Sequence, residues 1–154
     1  MSKTSPKLIF FDLGDVLYQF VPALRLETFA QRVNMSESRL DELIWQSGLS
    51  SQFDAGGYTR QAMSRKISDV IDVELSDKEV ADIWCKAFVL NQPVYELAER
   101  VSEFTRVGLL TNNPPALRAA IPTWMPEIEA LFNPIIFSYE LQATKPNPIV
   151  FETI

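Results

Sequence analysis

Apolar residues follow two different rhythms along this chain. Leu8-Ile9-Phe10-Phe11 is an unbroken apolar run that ends in Asp12 and a glycine-containing turn. A run without polar alternation predicts a strand over Lys7–Asp12 that is buried on both faces. Two shorter runs behave alike, Arg106–Thr111 and Pro134–Ser138. Between the first two, the rhythm lengthens to that of helices. Leu24, Leu26, Phe29, Ala30 and Val33 predict a helix over 22–33 with Pro22 at its start. Ser36 caps a second helix carrying Leu40, Leu43, Ile44 and Trp45, with Gly48 as its stop. Phe53–Tyr58 predicts a turn, and Thr59 caps a third helix with Met63, Ile67, Val70 and Ile71 inward. Ser76 and Glu79 form a capping box for a fourth, and Pro93 opens a fifth that runs to Phe104. Short proline-interrupted helices follow up to Leu131, and Pro148 starts a last helical turn.

This order predicts an α/β fold: a Rossmann-like parallel sheet of three strands, with an all-helical insertion over residues 18–93. Residues 1–17 and 94–154 form the α/β core. Asp12 then sits at the carboxyl end of a strand, where open α/β sheets bind their ligands. An acid there is a candidate nucleophile or metal ligand. An Asp after a strand is also a common turn former, so this position alone decides nothing.

Composition narrows the chemistry. The chain has 154 residues, is 47% hydrophobic and 22% charged, and carries a net charge of −6. That suits one domain with a real core. No basic stripe argues for nucleic acid. No apolar stretch reaches membrane-spanning length, and residues 1–7 show no signal-peptide pattern. With no histidine at all, imidazole-based triads and His-ligated zinc are excluded. The single cysteine, Cys85, has no internal partner, which fits a reducing cytoplasmic setting. Its helical context marks it as a core residue rather than a reactive thiol.

Three segments in order resemble the haloacid dehalogenase-like (HAD) hydrolase superfamily. They are Phe11-Asp12-Leu13-Gly14-Asp15-Val16-Leu17, Leu109-Leu110-Thr111-Asn112, and Lys145-Pro146-Asn147-Pro148 followed by Phe151. Ser138 and Glu140 fit the family's approach to the lysine, and the helical insertion has the size and place of the family's cap. The resemblance implies a Mg²⁺-dependent phosphatase of small phosphorylated metabolites. Asp12 would be the nucleophile, with Thr111, Asn112 and Lys145 binding the phosphoryl group and Lys145 also catalytic. Mg²⁺ would bind the Asp12 carboxylate and the Gly14 carbonyl. The residue types suit these roles: a carboxylate can accept a phosphoryl group, a hydroxyl can donate to its oxygens, and an ammonium can neutralise them.

The chain departs from the family pattern at three places. Gly14 stands where many family phosphatases carry a second Asp as general acid/base, and where family dehalogenases carry an aromatic residue. It thus argues against 2-haloacid dehalogenation. Gln142 stands where glycine is usual before the lysine. The family's fourth motif, an acid pair that completes the metal site, does not occur before Ile154. The expectation is therefore a truncated hydrolase with an incomplete Mg²⁺ site, or a non-catalytic HAD-like module. Without the strands that would follow, Lys7–Asp12 becomes a sheet edge and a surface for self-association.

Overall fold

The computed structural model describes residues 6–154. The reading of the extreme N-terminus falls on residues 1–5 and so lies outside the described residues. Among the described residues, three strands form one parallel sheet in the order β1-β4-β5: β1 is Leu8–Phe11, β4 is Arg106–Thr111 and β5 is Ile135–Phe137. Phe11 stands beside Leu109, and Thr111 beside Phe137. The carboxyl ends of β1 and β4 therefore open on the same edge of the sheet.

β1 differs from its expectation in one respect. Its four residues are half-buried, not enclosed on both faces. Among the described residues only β4 pairs along it, so β1 is an edge strand there while β4 is the buried centre.

The segment between β1 and β4 is helical as expected, with three elements the periodicity did not show. Tyr18–Phe20 (β2) and Phe88–Leu90 (β3) pair antiparallel where the chain enters and leaves the helices. α1 is Pro22–Val33, stopped by Asn34 in the left-handed conformation. α2, Glu37–Leu40, starts on the Ser36 cap and runs on as a π-helical stretch, Asp41–Gln46. In that wider turn, residues five apart stack, and Gln46 Nε2 donates to Asp41 Oδ2 (2.6 Å). α3, Leu49–Asp54, occupies part of what reads as a turn.

Thr59 caps α4 (Arg60–Ile71) by accepting from the Ala62 N–H, and the Ser76/Glu79 capping box opens α5 (Asp77–Cys85). α6 (Gln92–Ser102) leads to β4. α7 (Pro115–Trp124) and α8 (Pro126–Leu131) precede β5, and α9 (Ser138–Leu141) and α10 (Pro148–Glu152) complete the described chain. One continuous core runs from the helical segment (Phe29, Ile44, Phe53, Met63, Trp84) to the sheet (Leu109, Phe137). Cys85 belongs to it: the thiol is buried, and burial pushes it up to about 11, so it is inert. No helix among the described residues is long and apolar enough to cross a membrane.

α5 and α4 pack on α7 beside the sheet, and α3 adds a second, polar junction at the end of β5. The buried Ser138 hydroxyl, at the end of β5, donates to the Asp54 carbonyl (2.6 Å). Gly56 packs against the same place: a Cβ there would lie 2.7 Å from the Tyr139 carbonyl oxygen and 3.2 Å from the Gln142 Cα. With φ at +94° as well, this turn accepts only glycine without rearrangement.

Candidate active site

The ends of β1 and β4 meet the helical segment in a cleft of about 380 Å³. Asp12, Gly14, Thr111 and Asn112 line its floor. Asp12 follows β1 directly. Its Oδ1 accepts from the Leu13 N–H (2.7 Å), which holds the carboxylate in one orientation. Its Oδ2 lies 2.6 Å from Lys145 Nζ. The Asp12 side chain keeps 41% of its surface exposed, against 20% for Lys145. The acid is thus presented to the cleft while the cation stands behind it.

Lys145 comes from the loop before α10, and two groups hold it. Its Nζ also donates to the Leu110 carbonyl (2.8 Å). Its backbone is clamped by the Asn112 amide, which donates to the Lys145 carbonyl (3.0 Å) and accepts from its N–H (2.9 Å). Asn112, expected to bind phosphate, thus also positions Lys145. Its side chain still has one amide N–H and one oxygen lone pair uncommitted among the described residues. Thr111 is buried at the base of the cleft, and its hydroxyl accepts from Asn113 Nδ2 (2.7 Å). That orients the hydroxyl, and no group among the described residues takes its proton. Asn113 was not singled out in the sequence, although its place directly after the Thr-Asn pair was the available signal.

Asp15 lines the cleft, and one of its oxygens is engaged by the backbone. It adopts a left-handed backbone conformation, and its Oδ1 accepts from the Phe20 N–H (3.0 Å), which pins the loop to β2. Gly14 does not need to be glycine here. A Cβ would meet nothing closer than the Phe88 ring at 3.7 Å, an ordinary contact.

Gln142 follows α9 at φ 54°, the left-handed region that favours glycine. Glu140 accepts from the Phe137 N–H (3.0 Å) and caps that short helix.

The donors present can be tested against a divalent cation. Among the described residues no three carboxylate, thiol or imidazole side chains cluster as a metal site. The Asp12 carboxylate and the Gly14 carbonyl, which accepts no hydrogen bond among the described residues, offer two hard oxygens. Such a set suits Mg²⁺, which keeps several waters and shares phosphate oxygens, and does not suit Zn²⁺ or Ca²⁺.

The opposite wall was not anticipated. Arg25 lies on the buried stripe of α1 with Phe29 and Val33, while Leu24 points out. Its guanidinium carbon sits 4.5 Å over the Trp45 ring, 5.1 Å over Trp84 and 5.4 Å over Phe20. All four side chains line the cleft, as does Asp54. Burial pushes the Asp54 carboxyl up to about 7, with Arg25 opposing the shift. Burial also lowers Arg25 to about 10, so it stays charged at neutral pH. The 25, 29, 33 spacing was the signal that could have placed Arg25 inside.

The fold has counterparts among solved structures. A HAD family enzyme from Bacteroides thetaiotaomicron, in complex with magnesium and inorganic phosphate, superposes with a TM-score of 0.80 at 22% identity, over 97% of this chain and 77% of that one. The chain has the HAD fold. A predicted HAD-like family hydrolase from Porphyromonas gingivalis matches with a TM-score of 0.76 at 22% identity, over 96% of this chain and 73% of the other. A 2-haloacid dehalogenase from Pseudomonas syringae matches less well, with a TM-score of 0.57 at 18% identity over 96% and 70%. No protein-family model and no curated protein matches the sequence. At these identities the HAD likeness speaks for the fold, and the reaction must be argued from the site.

Proposed function

We propose that this HAD-fold chain is the catalytic part of a Mg²⁺-dependent phosphatase of small phosphorylated metabolites. One observation carries the reading: Asp12, exposed at the end of β1, is paired at 2.6 Å with a buried-side Lys145 and stands beside Thr111 at the end of β4. In support, the Bacteroides HAD enzyme of the same fold is a complex with magnesium and inorganic phosphate.

In this reading residues 18–93 act as a cap over a core of 1–17 and 94–154. A phosphate ester enters the cleft with its phosphorus facing Asp12. The Asp12 carboxylate attacks phosphorus, the ester P–O bond breaks, and the leaving alcohol oxygen takes a proton from water, because Gly14 supplies no acid. Thr111 and Lys145 hold the phosphoryl oxygens as charge moves onto them. Water then attacks phosphorus of the aspartyl-phosphate, and the carboxylate returns as phosphate leaves. Mg²⁺, held by Asp12 and the Gly14 carbonyl, would supply charge neutralisation to the phosphoryl oxygens. The single, inert thiol suits a cytoplasmic setting.

Replacement of Asp12 by Asn tests the assignment with p-nitrophenyl phosphate. The expected result is loss of turnover at unchanged fold. Hydrolysis at the wild-type rate would refute it. Self-association through β1 is a further part of the reading, and sedimentation velocity checks it by a concentration-dependent dimer.

The sparse oxygen set favours one alternative, a non-catalytic HAD-like module. Calorimetric titration with Mg²⁺ separates the two: binding together with turnover supports the phosphatase, and absence of both supports the module.

A further inference from the structure

The wall opposite Asp12 holds donors that no other described residue uses. Arg25 is 5% exposed, and its Nε is buried with no hydrogen-bond partner. Trp45 Nε1 is likewise buried and unpartnered. No carboxylate comes within ion-pair distance of Arg25 among the described residues; Asp54 acts on it only from further away. A buried guanidinium with unmade hydrogen bonds is costly, and protein interiors seldom leave such groups orphaned. Three aromatic faces compensate its charge from above and below, but a ring face accepts no in-plane hydrogen bond. The guanidinium is therefore held among aromatic rings at the wall of the cleft that Asp12 floors, with its Nε buried and unpartnered and no hydrogen bond made by its other nitrogens among the described residues.

Guanidinium forks match the paired oxygens of carboxylates and phosphates. On the phosphatase reading above, on which this step rests, we propose that Arg25 and Trp45 Nε1 receive a second anionic group at the far end of the substrate. The substrate is then a phosphate ester that also carries a carboxylate or a second phosphoryl group. The neighbouring Asp54, which burial keeps partly protonated near neutral pH, opposes such an anion less than an ordinary carboxylate would. Neutral sugar or polyol phosphates leave the fork unmatched.

The test is binding without turnover. The chain is titrated in EDTA with three ligands on one three-carbon frame: 3-phosphoglycerate, glycerol 1,3-bisphosphate and glycerol 3-phosphate. Calorimetry reads affinity, and tryptophan fluorescence reads the environment of Trp45 and Trp84. We expect at least one doubly anionic ligand to bind ~10-fold or more tighter than glycerol 3-phosphate, the scale of a charge-assisted hydrogen bond. Which of the two wins tells carboxylate from phosphoryl. Arg25→Gln should erase the preference by weakening the doubly anionic ligands much more than glycerol 3-phosphate, and Arg25→Lys should keep only part of it. Equal affinity for all three, no binding of any, or a preference that survives Arg25→Gln overturns the proposal. If the variants do not fold, the wild-type comparison decides by itself. Doubly anionic preference with no hydrolysis of any ester would sink the phosphatase reading alone. Hydrolysis through Asp12 without preference would sink this one alone.

Discussion

The two walls of the cleft are built on opposite principles. On the sheet side the functional side chains are tied to one another and to the backbone. Asp12 holds the Leu13 N–H and Lys145, Lys145 also holds Leu110, Asn112 clamps the Lys145 backbone, and Asn113 orients Thr111. On the helical side Arg25 and Trp45 carry buried donors with no partner. A satisfied network is preorganised, which suits atoms that must meet a reacting centre in one geometry. An unsatisfied pair stores unmet demand, which suits recognition of a group that arrives from outside.

Four substitutions would break or sharpen this contrast. Lys145→Met strikes the sheet side hardest. It strips Asp12 of its counter-charge and should cost about 10²–10³ in kcat/KM, as loss of a charge-stabilising donor does, while thermal unfolding moves little. A loss of only two- or three-fold would mean that the network is structural. Gly56→Ala strikes the joint between the walls. Its Cβ would collide with the Tyr139 carbonyl at a positive φ, so chemical denaturation should show a loss of about 1–3 kcal/mol.

Asp54→Asn tests the burial of the helical side. The folded carboxyl is raised to about 7 from its ordinary 3.8, so below pH 4 both states hold the proton. Between pH 4 and 7 only the unfolded state releases it, and stability falls as pH rises. The Asn variant should lose this slope, as urea midpoints measured across pH 4–8 would show. An unchanged slope would place Asp54 in water. Gln142→Gly is the smallest change. It relieves a left-handed backbone next to the joint and should stabilise by about 0.5–1 kcal/mol.

Much of the sheet side was legible in the sequence, and little of the helical side was. Apolar runs ending in Asp12 and Thr111 marked the strand ends, because both residues close a period that needs no tertiary knowledge. The partnership of Asp12 with Lys145 rested on the family pattern, since 133 positions separate them. The true bounds of α1 were visible from Pro22, while its inward face was not. Arg25 is inside only because Trp45, Trp84 and Phe20 converge on it from three other elements. β2 and β3 are three residues each, too short to show a period. α3 was hidden because Phe53 and Asp54 also read as a turn. The full burial expected for β1 failed because burial of a strand depends on its neighbours in the sheet, and β1 has β4 alone among the described residues.

The central claim is that Asp12 accepts the phosphoryl group. Borohydride reduction of acid-quenched reaction mixtures tests it most directly, because an acyl phosphate is reduced to an alcohol where a free carboxylate is not. After incubation with a phosphate ester and Mg²⁺, peptide mass spectrometry should find homoserine at position 12, and at no other aspartate. An unmodified Asp12 under conditions of phosphate release would contradict the account.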